Sequence, residues 1–195
     1  MRRKLGVKGR KEASHERIVD AAARAIRRSG YGGVGVADIM KDAGLTHGGF
    51  YAHFASREAM LAEAADRAGA ESLAAMERIS SAANTQRALR SLLTAYLSKA
   101  HAEAIESGCA VAALGSEMPR QAPEVRHAST RRIKEMIDLV ARLSPDSGKQ
   151  GAHKRALFTV AAMVGALVLA RAVDDARLSD ELREATLKHL DSSSD

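Results

Sequence analysis

An all-helical fold is predicted by three observations on the 195-residue sequence. Apolar residues recur at spacings of three and four along nearly the whole chain, strand-type alternation is almost absent, and glycines or prolines separate the periodic stretches at helix-length intervals. Hydrophobic residues make up 46% and charged residues 28%, so the chain has the apolar content to bury a core, and wholesale disorder is excluded.

The first helix is expected from about Ser14, a residue type that caps helix N-termini, with Ile18, Ala22, Ala25 and Ile26 on one face and Gly30 placed to end it. Beyond Tyr31, Gly32, Gly33, Val34 and Gly35, short helices are expected over 36–43 and 47–53, joined through Gly44, Leu45 and Thr46. Ser56 is suited to cap a long, proline-free helix carrying Met60, Leu61, Ala64, Ala68, Leu73 and Met76 to about residue 79. The segment 85–106 puts Leu89, Leu92, Leu93, Tyr96, Leu97 and Ala100 on one face, which predicts a single amphipathic helix broken by Gly108. A short helix over 109–118 follows, then a turn between Pro119 and Pro123, then a helix bearing Val125, Ile133, Met136, Ile137 and Val140. Pro145, Asp146, Ser147 and Gly148 form the clearest internal loop. The stretch 149–173 is apolar on most sides, and Ser179, with Asp180 and Glu181 in the first turn, is expected to open a last helix to about residue 190. The total is about nine helices.

A helix that is apolar nearly all round must bury more than one face. Leu157, Val160, Val164, Leu167 and Leu169 cannot all reach one small core, and Gly165 with Ala161, Ala162 and Ala166 would let a second helix approach closely. A subunit interface accounts for this surplus; the central core helix of a monomer is the other reading. The charge-free run inside 156–170 falls short of the ~18–20 apolar residues of a membrane span, and no secretory signal is readable at the N-terminus, so a cytoplasmic protein without a membrane partner is expected. The single cysteine excludes an internal disulfide framework and a cysteine zinc site, and fits a reducing cytosol. His101, His127, His153 and His189 lack metal-ligand spacing and are expected at the surface, so neither a metal nor another cofactor is expected.

The formal net charge of +6 is unevenly placed. Arg2, Arg3, Lys4, Lys8, Arg10 and Lys11 stand in the first eleven residues without an acid, and the other 24 basic residues balance all 24 acidic ones. A basic arm on a neutral body is suited to a polyanion, because lysines and arginines displace counterions from phosphates; a solvated tail is the alternative.

Two short helices joined through a glycine turn, preceded by a helix and a basic arm, have the layout of a helix-turn-helix module. The segment from Ile18 to Leu61 resembles the DNA-binding domain of TetR-family transcriptional regulators. The resemblance is carried by Gly30 and Tyr31, Ile39, the Ala43-Gly44 turn, the run from Leu45 to Phe54 with its Tyr51 and Phe54 aromatics, and Ser56-Arg57-Glu58. It implies a basic arm over 1–13, a helix-turn-helix domain over 14–57, a ligand-binding and dimerisation domain over 58–191, and a frayed tail over 192–195.

Within that resemblance, Thr46 is placed to cap the recognition helix and touch phosphate, and Tyr51 to rest its phenol on the DNA backbone. His47 and Gly49 depart from the family's frequent Lys and Thr. Gly48 and Gly49 offer no side chain for base edges but let the backbone approach the major groove, which leaves direct readout to His47, Thr46 and the preceding turn around Ala37. Lys41 and Arg57 are candidates for backbone contact, and Lys8, Arg10 and Lys11 for the adjacent groove; Arg24, Arg27 and Arg28 are read as solvated or phosphate-facing. Phe50 and Phe54 are read as core.

The stretches 108–117 and 165–174 are similar to segments of one subset of these regulators. The resemblance implies a homodimer in which the last two long helices pair across a two-fold axis, with Val160, Val164, Leu167, Val168, Arg171, Leu182 and Leu190 as candidate interface residues. It also implies a cavity for a small apolar or amphipathic inducer, with Met76, Tyr96, Cys109, Met118, Met136, Phe158 and Met163 as candidate lining and plain core packing as the competing role. Cys109 has two readings, a sensing thiolate at a helix N-terminus or a small buried hydrophobe. An enzyme is not expected, since no nucleophile elbow or assembled catalytic set accompanies Cys109. The expected function is therefore sequence-specific DNA binding by a dimeric repressor released from a pseudo-palindromic operator by a small molecule. The alternatives are a non-specific architectural DNA-binding protein and a redox or electrophile-sensing regulator acting through Cys109.

Overall fold

The computed structural model describes residues 7–83 and 87–192, and the expectations placed on Arg2, Arg3, Lys4, Thr85 and the last three residues lie outside them. The described chain is all-α. Helix α1 (Val7–Ser29) begins seven residues before Ser14, because the Lys, Arg, Glu and Ala of this segment are good helix formers and carry the helix through the expected arm. Ser14 is thus an internal residue, and its hydroxyl accepts from Arg17 at 3.2 Å rather than capping.

Helix α2 (Val36–Asp42) closes through Ala43 onto Gly44, whose φ of 71° lies in the left-handed region that glycine tolerates without strain. Gly44 N–H donates to Lys41 and Leu45 N–H to Met40, the paired bonds of a Schellman turn. The following His47–Ala52 segment is a 3-10 helix, pinned by the buried Phe50, which stacks on Phe54 at 5.6 Å. Ser56 caps α3 (Arg57–Ala82) as expected, its Oγ accepting the Ala59 N–H at 3.1 Å.

The single helix expected over 85–106 is two helices, α4 (Ala88–Tyr96) and α5 (Lys99–Glu103). The break is held by side chains that take the released backbone groups. Ser98 Oγ accepts His101 N–H, the His101 ring bonds the Tyr96 carbonyl at 2.6 Å, and Arg183 donates to the Leu97 carbonyl at 2.8 Å. Helix α6 (Ala110–Leu114) is shorter than the 109–118 expected, and Pro119 sits in a separate 3-10 turn, Met118–Arg120. Helix α7 (Pro123–Leu143) opens on its proline, a position where the missing N–H costs nothing. Helix α8 (Ala152–Ala172) is followed by α9 (Ala176–Ser192), which starts before Ser179 because Asp175 accepts the Arg177 and Leu178 N–H groups. Ser179 instead donates to the Ala170 carbonyl at 2.8 Å and ties α9 to α8.

Two cores share α3. One gathers Ile18, Ile26, Tyr31, Ile39, Met40, Phe50, Phe54, Met60 and Leu61, and it also takes in Ala110 and Leu114 of α6 and Val125 of α7. The other gathers Met76, Leu92, Leu93, Tyr96, Cys109, Met136, Val140, Met163 and Leu167. Helix α8 corrects one expectation. With its flanking polar residues it is long and apolar enough, at a mean hydropathy of 1.6, to cross a membrane by length and composition alone, and 33% of that window is buried in the protomer.

Leu114 is fully buried at the point where α6 enters the first core. Leu114→Ala is expected to lower unfolding free energy by about 2–5 kcal/mol, the usual cost of such a cavity, measured by denaturant titration.

Candidate functional site

The helix-turn-helix presents a polar, open surface. Ala37, Lys41, Thr46, His47, Gly48 and Tyr51 are exposed, Gly49 is half-buried, and Arg10 and Lys11 are exposed on the first turns of α1, which also contains Lys8. Tyr51 is the most exposed of the large hydrophobic side chains, at 78%, and its ring leans edge-on against Phe50 at 5.2 Å. Nothing lies within 4 Å of where a Cβ on Gly48 would stand, and on Gly49 it would meet only the Met40 methyl at 3.7 Å. The fold therefore does not require glycine at either place, although glycine costs helix stability. The smooth backbone faces outward.

Two expectations for this surface are corrected. Thr46 occupies the N-cap position with extended backbone, but its hydroxyl makes no capping hydrogen bond. Arg57 is turned inward, donating to the Tyr31 carbonyl at 2.5 Å and the Val34 carbonyl at 3.2 Å, so it braces the turn before α2. Of the cations read as solvated, Arg27 is buried and pairs with Glu71 of α3 at 2.5 Å, whereas Arg28 is exposed and pairs with Glu106 at 3.2 Å.

A cavity of about 160 Å³ lies between α3, α4 and the segment entering α6. Its wall contains three of the candidate lining residues, Met76, Tyr96 and Cys109, together with Ser72, Ile79, Leu92 and His101. The other candidates stand elsewhere. Met136 and Met163 are buried in the second core, Met118 packs against the first, and Phe158 is 58% exposed on the outer side of α8, against His189. The long periodic runs gave no indication of where α4 breaks, and the break is what brings His101 back onto Tyr96. His101 is thus not a surface residue: its Nε2 accepts the Cys109 N–H at 3.0 Å, which leaves Nδ1 to donate to the Tyr96 carbonyl. Burial lowers its pKa, in keeping with a neutral ring. Burial likewise holds the Tyr96 phenol well above its ordinary value. A wider, open cleft of about 640 Å³ between α1, α3 and α7 is lined by charges that are paired, among them Asp66 with Arg131, and Arg67, whose partner Asp20 stands outside the lining.

The outer face of α8 is apolar and uncovered, with Leu157 at 43%, Phe158 at 58%, Val168 at 40% and Leu169 at 52% exposure. Val164 and, on α9, Leu182 are half-buried beside it. Val160, Leu167 and Leu190 are instead buried inside the protomer, and Arg171 turns in to the His101 and Ala102 carbonyls, so these four candidates do not lie on the open face. Among the described residues no cluster of potential metal ligands is found.

An exposed helix-turn-helix on a larger helical body is the build of a DNA-binding transcriptional regulator. Comparisons with known proteins agree. Residues 18–64 match the bacterial regulatory proteins of the tetR family, and residues 85–185 match the C-terminal domain of LmrA/YxaF-like transcriptional regulators. Uncharacterised HTH-type transcriptional regulators from two strains of Mycobacterium tuberculosis are each 30% identical over 173 residues, spanning 82% of this chain and 85% of their own. The chain belongs to the TetR family. Its fold is similar to that of E. coli NemR in its reduced form, with a TM-score of 0.77 at 20% identity over 92% of this chain and 95% of that one. A TetR regulator from Chloroflexus aurantiacus is comparable, with a TM-score of 0.78 at 24% identity over 93% and 96%.

Tyr51→Phe, which removes only the exposed hydroxyl, is expected to weaken DNA binding by about five- to tenfold on specific and unrelated duplex alike, as loss of one phosphate contact does. A change in base preference, measured by competition titration, would contradict that assignment.

Proposed function

We propose that this protein is a cytoplasmic, homodimeric repressor whose recognition helices enter successive major grooves of a pseudo-palindromic operator, and that a small molecule in the α3–α4 cavity releases it. The observation that carries the DNA-binding part is the recognition surface, where Thr46, His47 and Tyr51 are exposed around two glycines that the fold does not need. Lys8, Arg10, Lys11, Lys41 and Ala37 flank that surface in the proposed complex, with the first turns of α1 carrying the three N-terminal cations toward the adjacent phosphates. Half-sites ~34–36 Å apart match a two-fold dimer.

Dimerisation is assigned to the outer face of α8 with the adjoining side of α9. Leu157, Phe158, Val164, Val168, Leu169 and Leu182 supply apolar surface that a monomer would leave in water. Covering it with a second copy is the reading that accounts for the low burial of so apolar a helix.

Release is assigned to two elements that touch both regions. Helix α3, capped by Ser56, follows directly on the recognition helix, and its residues Ser72, Ala75, Met76 and Ile79 line the cavity. Helix α6 starts beside Cys109 in the cavity wall, and the chain after it delivers Glu117 to the Tyr31 N–H at 2.9 Å. A ligand that moves either wall shifts the recognition helices, and it induces only insofar as it prefers the released arrangement, ordinarily by ~1–3 kcal/mol.

The test is a footprint on the region upstream of the protein's own coding sequence, at stated salt and with excess unrelated duplex. A protected site with two-fold symmetry is expected, and Val168→Glu is expected to convert the protein to monomers by sedimentation and abolish the footprint. Binding without preference over competitor would instead support an architectural protein.

A further inference from the structure

Two polar atoms beside the cavity have no partner. Tyr96 is only 4% exposed, and its hydroxyl has no nitrogen or oxygen partner, with only the weakly bonding Cys109 thiol beside it. Arg171 donates through Nε to the Ala102 carbonyl at 3.0 Å and through Nη2 to the His101 carbonyl at 2.9 Å, while its buried Nη1 is unpartnered. Leaving such groups unsatisfied away from water is costly. Elsewhere in the wall, His101 uses both ring nitrogens, and Ser72 Oγ donates to Ala68 and accepts from Ala110.

The charge at this place is also unbalanced. Arg27 has Glu71, Arg132 has Asp66 and Arg183 has Asp180, but no carboxylate pairs with Arg171 among the described residues. The titratable neighbours of its guanidinium are the Cys109 thiol and the Tyr96 phenol, both in the cavity wall and neither a carboxylate. Gly108 brings the cation close. It lines the cavity, and a Cβ there would stand 2.4 Å from the Ala104 carbonyl oxygen and 2.7 Å from Arg171 Nη2, so only glycine lets the chain pass this close to both. The unmet groups are therefore a neutral donor and a cation, with an apolar wall of Met76, Ile79 and Leu92 opposite them.

Taking the cavity as the effector site proposed above, we propose that its ligand is a small apolar organic acid, whose carboxylate accepts from Tyr96 Oη and Arg171 Nη1 while its hydrocarbon part lies against Met76, Ile79 and Leu92. A carboxylate supplies both the acceptor oxygens and the missing negative charge, and bonds to charged groups are the stronger class. The volume of about 160 Å³ is close to that of cavities which hold one benzene ring, so a single-ring or short-chain acid fits and a bulky amphiphile does not.

The test is calorimetric titration of the full-length, DNA-free protein with benzoate and hexanoate, each compared with its neutral amide, benzamide and hexanamide. The acids are expected to bind at least about tenfold more tightly than the amides. Tyr96→Phe, which keeps the ring, is expected to weaken the acids about tenfold. Arg171→Gln is expected to weaken them further and leave the amides unchanged. Because Arg171 also holds the α5 carbonyls, Tyr96→Phe decides if Arg171→Gln lowers the melting temperature. Amides that bind as well as the acids, acid affinity unchanged in Tyr96→Phe, or no acid binding by protein that still protects its operator would each overturn the proposal. Operator release is scored separately. Acid binding without release upholds the site and counts against the inducible repressor; release by a neutral compound, with no acid binding, does the reverse.

Discussion

Between α1 and the helix-turn-helix, the backbone of Tyr31 gives its N–H to the Glu117 carboxylate at 2.9 Å and its carbonyl to the Arg57 guanidinium at 2.5 Å. Both bonds are charge-assisted and partly buried, the class worth ~1.5–3 kcal/mol each. Glu117 belongs to the C-terminal half and Arg57 to the first turn of α3, so this one turn is held from both directions. Gly30 makes the grip sterically feasible. Its φ is 72°, and a Cβ there would collide with the Glu117 carboxylate. The placement of α2 and the recognition helix relative to α6 depends on this contact, together with Leu114 buried alongside it.

The second shared element is α3. At 26 residues it spans ~39 Å, enough to serve two cores in succession. Its N-terminal half buries Met60, Leu61, Ala64, Ala65 and Ala68 under the helix-turn-helix, and its C-terminal half buries Ser72 and Met76 at the cavity. Close packing on α7 is set by Gly69, where a Cβ would lie 2.5 Å from Arg132 Cγ, and Arg132 in turn clamps Asp66 with two bonds of 2.7 and 2.8 Å. That pairing holds the Asp66 carboxyl below its ordinary range against the opposing effect of burial. Helix α3 is thus fixed on α7 through Asp66 and Gly69, just N-terminal of Ser72, Met76 and Ile79, which line the cavity.

Local chemistry made much of this legible. Ser56 as cap, Gly44 as turn, the proline start of α7 and the buried Phe50 and Phe54 all follow from residue types whose preferences act within one or two turns. What could not be read depends on distant partners. The α4 break at Leu97 is written in Ser98 and His101, but it is held by Arg183, far along the chain. In α8 the surplus of apolar residues was plain while its rotation was not: a helix apolar on all sides carries no periodic signal to say that Val160, Met163 and Leu167 face inward and Leu157, Phe158 and Val168 outward. Arg171 illustrates the same limit, since a cation at the end of an apolar helix reads as surface until the α5 carbonyls are seen around it.

The central claim is that the C-terminal half holds the helix-turn-helix through the backbone of Tyr31. Amide hydrogen exchange on the full-length protein without DNA, comparing Glu117→Ala with the unaltered chain, tests it most directly. The account predicts faster exchange at Tyr31 and through Gly32–Val36, with the amides of α8 unchanged. Unaltered protection at Tyr31 in Glu117→Ala would contradict it.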